Sequence, residues 1–274
     1  MMNGTSWDNT DSYYDMINNF NDTNSSMANN DTLGFLFDST DAPTSTDAPS
    51  TDASNSTSAD NTSSDAKVRR MLQNLPVNFD WRNYGAVTNV KQQGNCGGCW
   101  SFCSIANIEG LIAIKYKKSI NLSVQQAIDC DYSNGGCNGG LMIPAYQYFQ
   151  RTGGIMAWNS YPFTGYRGYC KFNPNAVFAR VNGYTTAGTT NEDYIMSYLY
   201  NTGPLAITMN ARLLQYYTGG VMNVPYSSCP IAPDHGVTLV GYGTTSTGLN
   251  YWIIKNSWGP NWGEGGYFRI ARGR

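Results

Sequence analysis

Histidine is almost missing from this chain: His235 stands alone among 274 residues. A structural zinc site needs four Cys or His ligands, usually as two close pairs. Cys96 and Cys99 form one Cys-x-x-Cys pair and there is no second, so no metal centre is expected, and no cofactor. Charged residues are scarce at 13%, and the basic ones are scattered instead of forming a stripe, which argues against a nucleic-acid partner. No apolar run is long enough to span a bilayer, so no membrane partner is expected. Residues 1–9 are polar and lack a basic patch followed by an apolar stretch, so they do not read as a secretory signal. The expectation is either a cytosolic protein or a chain whose true N-terminus is absent.

Charge of one sign is missing from the front of the chain. Residues 1–66 hold eleven Asp and no Glu, Lys or Arg, a net −11, while the remainder is +9. Residues 38–66 use only Asp, Ser, Thr, Ala, Pro and Asn, with Ser-Thr-Asp-Ala recurring at Ser39, Ser45 and Ser50. Such a segment has nothing to bury and reads as a disordered, solvating tail. Asn-x-Ser/Thr acceptors at Asn3, Asn21, Asn24, Asn30, Asn55, Asn61 and Asn121 point weakly to a secretory route.

Composition changes at Lys67-Val68-Arg69-Arg70, and from Leu75 onward the chain reads as globular. At 41% hydrophobic and 14% aromatic the sequence can build a sizeable core. Cys99 to Ile114 reads as a buried helix closed by Lys115, Lys117 and Lys118. Ser123-Val124-Gln125-Gln126 is a capping box opening a second helix. Leu141–Arg151, stopped by Gly153-Gly154, and Asn191–Asn201, stopped by Gly203, are two more. Then the pattern shortens to strands: Leu205–Met209, Val237–Gly243, Tyr251–Lys255 and Tyr267–Ala271. Helices first and strands second predict an α+β protein with two lobes.

The run Gln92-Gln93-Gly94-Asn95-Cys96-Gly97-Gly98-Cys99-Trp100 carries the chemistry. Its two cysteines have three readings: structural thiols, half of a zinc site, or a redox dithiol. A thioredoxin-type dithiol uses its first cysteine at a helix start inside a βαβ pattern. Here the helical pattern starts at the second, with no βαβ around it. Cys99 thus sits at the positive end of a helix dipole, which favours a thiolate nucleophile. The glycines let backbone approach it, and the Gln93 amide together with the Cys99 N–H could bind a developing oxyanion. A nucleophilic cysteine needs a base, and His235 is the one imidazole available. Asn256 closes the next strand, and its amide oxygen can hold one ring nitrogen so that the other faces the thiol. Trp258 and Trp262 could cover that bond.

Cys, His and Asn in this order, with Gln ahead of the Cys, resemble the papain/cathepsin family of cysteine proteases. The resemblance covers residues 75–274 and rests on several motifs besides the Gln93–Trp100 run. They are Leu75-Pro76, Asp80-Trp81-Arg82, Gly85-Ala86-Val87-Thr88, Cys130, Gly136-Cys137-Asn138-Gly139-Gly140, Tyr161-Pro162, Tyr169-Cys170, Gly203-Pro204, Asp234-His235-Gly236 and Asn256-Ser257-Trp258-Gly259. His235 follows Cys99 within the ~130–150 residues of the family spacing, and Asn256 lies slightly beyond it.

The resemblance implies a two-lobed fold: a helical lobe over about 84–185 and a β-barrel-like lobe from about 75–83 and 186–274, with the active-site cleft between. It implies disulfides Cys96–Cys137 and Cys130–Cys170, leaving Cys99 free. Gly139 and Gly140 match the edge that receives substrate backbone. Leu141, Met142, Thr208 and Gly236 match walls of the main specificity pocket, and Trp258 is expected with them among the substrate-binding residues. The function so implied is a cysteine-type endopeptidase made as a zymogen. Its expected partners are polypeptide substrates, its own propeptide and protein inhibitors. It is expected to be a monomer, in a lysosome or vacuole or outside the cell.

The chain also departs from the family. Gly98 fills a Ser/Ala position and Cys103 a Ser position. Cys229 matches a disulfide cysteine whose partner would lie beyond Arg274, so the last segment is expected to be missing. Residues 1–74 read as a partial propeptide: Asn18-x-Phe20-x-Asp22-Thr23 resembles the later pro-region motif, without the helical motif before it. Two rival functions stand beside the protease: a catalytically dead binding protein of this fold, and a dithiol oxidoreductase.

Overall fold

The computed structural model describes residues 75–187, 190–225, 228 and 232–273. The residue 1–74 propeptide expectation and the question of Cys229 therefore lie outside the described residues. Among the described residues the α-helices are α1 (Cys99–Tyr116), α2 (Val124–Cys130), α3 (Met142–Thr152) and α4 (Glu192–Thr202). The strands are β1 (Phe79–Asp80), β2 (Ile155–Met156), β3 (Val177–Ala179), β4 (Leu205–Met209), β5 (Val221–Met222), β6 (His235–Thr244), β7 (Asn250–Lys255) and β8 (Tyr267–Ala271).

Helix α1 is apolar nearly all round, and it is correspondingly buried, with Trp100, Phe102, Ile105 and Ile108 in the core. Such a helix is held by packing on several sides and not by one apolar stripe. Gly98 at its N-cap supplies no side-chain hydrogen bond. At its other end Lys117 takes the left-handed conformation, φ 55°, and its N–H returns to Ala113 O. That place is normally glycine's. Helix α2 begins as expected, with Ser123 Oγ accepting from Gln126 N at 3.0 Å. The reciprocal half of the capping box does not form. Gln126 instead donates to Gly154 O and accepts from Met156 N, while Ser123 N donates to Met156 O. A tertiary partner of equal chemistry has displaced the local one.

Two hydrophobic cores result. One gathers Trp100, Phe102, Ile105, Leu122, Ile128 and Phe149 from the helices. The other gathers Phe79, Leu199, Leu239, Trp252, Ile254 and Phe268 around the sheet. Sheet order is β1-β6-β7-β8-β5, with β4 also on β6, and the pairs are antiparallel except β5 with β8. Long β6 shares one edge between two partners: β4 covers its first half, from Leu205↔Leu239 to Met209↔His235, and β1 covers Gly241 and Tyr242. The β-rich half is thus barrel-like without being a closed barrel among the described residues.

Helix α1 runs along the seam between the cores. A Cβ on Gly110 would stand 2.8 Å from the Pro204 ring and 2.9 Å from Ala86 O. Glycine inside this helix lets the strand side come close, which offsets its poor helix propensity. Asn107 Nδ2 donates across the same seam to Pro204 O at 2.7 Å.

Candidate active site

The loop leading into α1 is fastened on the helical side. Cys96 is bonded to Cys137, and Gly97 N donates to Cys137 O at 2.8 Å. A Cβ on Gly97 would lie 2.6 Å from that same oxygen, so the loop can only pass here as glycine. The second bridge joins Cys130 to Cys170. Cys99 is left free, half-buried, as the first residue of α1. Because Cys96 is bonded to Cys137, the dithiol reading of Cys96 and Cys99 has no support.

His235 opens β6 and is 7% exposed. Its Nε2 lies 2.8 Å from Asn256 Oδ1. Ser257 N also donates to that oxygen, at 2.9 Å, which fixes which end of the amide is oxygen. An amide oxygen only accepts, so the Nε2 carries the proton and Nδ1 is the nitrogen left for a reacting group. The Trp258 ring lies 5.1 Å from the imidazole, and Trp262 packs edge-on against Trp258 at 5.0 Å. Burial pulls the His235 pKa below the ordinary histidine value, against the Asn256 bond and the Asp234 carboxylate, which pull it up.

Gly236, next to the histidine, brings the two halves together. A Cβ there would stand 3.3 Å from Cys99 O and 2.9 Å from Cys103 Sγ. Gln93 is buried beside them. Its Nε2 donates to Cys96 O at 2.9 Å, leaving a second N–H, and its Oε1 accepts from Ser257 Oγ at 2.6 Å. Gln93 N also donates to Ser257 O. Ser257 therefore touches both the glutamine and the asparagine. The sequence places Ser257 only within the Asn256-Ser257-Trp258-Gly259 motif and gives it no role of its own.

The remaining expected positions fall on two sides. Gly139 and Gly140 lead into α3, with Leu141 exposed and Met142 half-buried at its start. Asn134, also unforeseen, pins this edge: its Oδ1 accepts from Leu141 N at 2.7 Å and its Nδ2 donates to Leu141 O. A Cβ on Gly140 would meet Asn134 and Trp100. On the sheet side Thr208, exposed, pairs with Gly236 in the β4–β6 register. Cys103 is buried and donates to Trp100 O, and burial pushes its thiol pKa up, so it stays protonated.

Behind these groups lies a buried charge cluster that the sequence did not announce. Glu109 is fully buried and accepts from Lys91 Nζ (2.7 Å), Leu122 N (2.8 Å) and Thr88 Oγ1 (2.5 Å). Lys255, adjacent to Asn256, donates to Thr88 O at 2.7 Å and Thr88 Oγ1 at 3.1 Å. Burial lowers its pKa to about 7, with Glu109 opposing the shift and Lys91 adding to it. Among the described residues no cluster of three or more His, Cys, Asp or Glu side chains could hold a metal ion.

Residues 75–274 match the family described as papain family cysteine protease. Cysteine proteinase 15A of Pisum sativum is 44% identical over 216 residues, 73% of this chain and 59% of its own length. Cysteine proteinase 1 of Dictyostelium discoideum is 42% identical over 218 residues, covering 74% of this chain and 63% of its own. Among solved structures, bromelain of Ananas comosus with an inhibitor bound superposes with a TM-score of 0.68 at 40% identity, over 73% of this chain and 91% of that one. The ragweed pollen allergen Amb a 11, a cysteine protease solved as its proform, gives 0.68 at 38% identity, over 74% of this chain and 62% of that one. The chain spans about 60% of the length of the first curated relatives it matches.

Proposed function

The chain belongs to the papain family of cysteine proteases, and from that premise we propose that it is a cysteine-type endopeptidase made as a zymogen. The observation that carries this reading is the pairing of His235 Nε2 with an oxygen-fixed Asn256 amide, on a strand whose next residue, Gly236, abuts the Cys99 carbonyl.

In the first step the Cys99 sulfur, as thiolate, attacks the carbonyl carbon of a peptide bond. The charge passes to the carbonyl oxygen. Two donors receive it: the remaining Gln93 Nε2 N–H and the Cys99 backbone N–H, which as the first of α1 has no partner within the helix. His235, protonated at Nδ1 by the thiol's proton, hands that proton to the departing amine as the C–N bond breaks. A thioester to Cys99 remains. His235 then takes a proton from water, hydroxide adds to the thioester, and the acid product leaves as the thiol re-forms. The Asn256 bond keeps the ring in the orientation that both steps need.

Leu141, Met142, Thr208 and Gly236 wall the pocket for the side chain next but one to the cleaved bond, which favours an apolar residue there. Gly139 and Gly140 hold substrate backbone. Residues 1–74 act as the propeptide, and protein inhibitors of the same cleft are the other expected partners. The protein works as a monomer, in a lysosome or vacuole or outside the cell. The test is peptide hydrolysis by the processed protein and by Cys99→Ala. Loss of turnover in the variant supports the reading; equal turnover in both overturns it, and no turnover in either favours a binding protein of this fold.

A further inference from the structure

A small cavity lies behind Asn256, between α1 and the β6–β7 pair. It offers about 20 Å³ to the centre of a water molecule, and its walls include Cys103, Ala106, Thr238, Lys255 and Asn256. One water needs roughly 10–15 Å³ of such room and at least two polar partners.

Asn256 is 3% exposed, and its Nδ2 is buried with no hydrogen-bond partner. Its orientation is not free to change. Turning the amide over would set Nδ2 against the Ser257 N–H, two donors with no acceptor, and leave Oδ1 nothing in their place. The orphan N–H therefore belongs on the side away from the histidine. An unpaired buried amide is costly, so a polar partner for this N–H is expected in the adjoining space. Lys255 lies on the same cavity. Its ammonium has three N–H donors, and Thr88 O and Oγ1 take two. Thr238, opposite Lys255 in the β6–β7 register, brings a hydroxyl to the wall.

We propose that this cavity binds one water molecule, which accepts from Asn256 Nδ2 and hydrogen-bonds Lys255 Nζ, accepting the third N–H of the ammonium or donating to the neutral amine, and that Lys255 is thereby a positioning residue for His235. The water stops the Asn256 amide from rolling about its side-chain bond, so Oδ1 stays on Nε2 through both proton transfers. The lysine is itself held at its far end, because Thr88 also donates to Glu109, which Lys91 neutralises. A chain of fixed groups thus runs from the buried carboxylate to the imidazole. The charged or titratable groups around Lys255 are Glu109 and Cys103 on α1 and Lys91 on the preceding loop. The water site stands on its own, and the positioning role rests on the protease reading above.

Two measurements on the full chain test the proposal. A high-resolution crystal structure is expected to show one ordered water within hydrogen-bond distance of both Asn256 Nδ2 and Lys255 Nζ. A dry cavity, or a water touching neither donor, overturns the proposal, whether or not the protein cleaves peptides. The second is Ala106→Val, which fills the cavity and leaves every polar group in place. It is expected to lower kcat about three- to tenfold with KM unchanged, while Cys103→Ser, which leaves the space open, stays within twofold of the parent. An Ala106→Val protein that melts normally and keeps full kcat removes the positioning role. If that variant does not fold, the crystallographic water decides alone.

Discussion

Glu109→Gln should be the most damaging single polar change in the helical half. Glu109 is fully buried, with 0% of its side chain exposed against 13% for Lys91. Its carboxylate satisfies four hydrogen bonds from Lys91, Thr88 and Leu122 N. The amide can still accept from Leu122 N with one oxygen, but its other arm becomes a donor facing Thr88 and Lys91. Lys91 then loses its anion, and Lys255 loses the one charge that raises its pKa. Breaking a buried pair from one side typically costs 3–5 kcal/mol, and Lys91 can recover part of this by turning to solvent, so about 3 kcal/mol is expected. With a urea slope of ~2 kcal/mol per molar, the unfolding midpoint should fall by about 1.5 M. Glu264→Gln is the control, because the Arg269–Glu264 pair is 31% and 29% exposed and should be worth no more than about 1 kcal/mol. Equal losses in the two variants, or a midpoint shift below about 0.5 M for Glu109→Gln, would refute the reasoning that burial sets the cost.

Lys255 gives a pH prediction. Its folded pKa, about 7, lies below the ordinary 10.5, so between those values the unfolded chain binds a proton that the folded one does not. Stability should therefore rise with pH across that window. Urea unfolding at pH 7 and 9.5 should show a steeper rise for the parent than for Lys255→Met, and parallel slopes would count against it. Lys117→Gly removes the left-handed strain at the end of α1 and should raise stability by about 1 kcal/mol, read as a higher melting temperature. Gly236→Ala should cost about 1–3 kcal/mol and most of the activity, because the new methyl meets Cys103 Sγ at 2.9 Å. Adding Cys103→Ala should restore part of both, and strict additivity of the two changes would show that they do not touch.

The parts of this fold that could be read from the chain are those with local signals. Leu205–Met209 and Tyr267–Ala271 are strands at the expected bounds, since apolar runs between Gly, Asn and Pro leave little choice. Helix α1 starts at Cys99 as its pattern says, and Gly153 and Gly203 stop α3 and α4. Phe79–Asp80, Ile155–Met156 and Val221–Met222 were invisible, because two residues have no period. In the site, Cys99, His235 and Asn256 stand out because each is rare or punctuates an element. Glu109 does not. A lone glutamate in a helix reads as a solvent-facing residue, and only tertiary structure brings Lys91, Thr88 and Leu122 to it. Gln126 shows the converse: the motif was present, and a distant partner took its side chain.

The site borrows from both cores. Cys99 belongs to a helix packed in one, His235 to a strand packed in the other and Asn256 to the residue just after the next strand; the seam along α1, with the Gln93–Ser257 and Lys255–Thr88 contacts, sets their spacing. Neither core has to melt for the nucleophile to lose its base; a small slip of one past the other is enough. On heating, turnover should therefore fade at a lower temperature than circular dichroism, so that catalysis reports on how well the two halves are clamped and spectroscopy on whether each still exists.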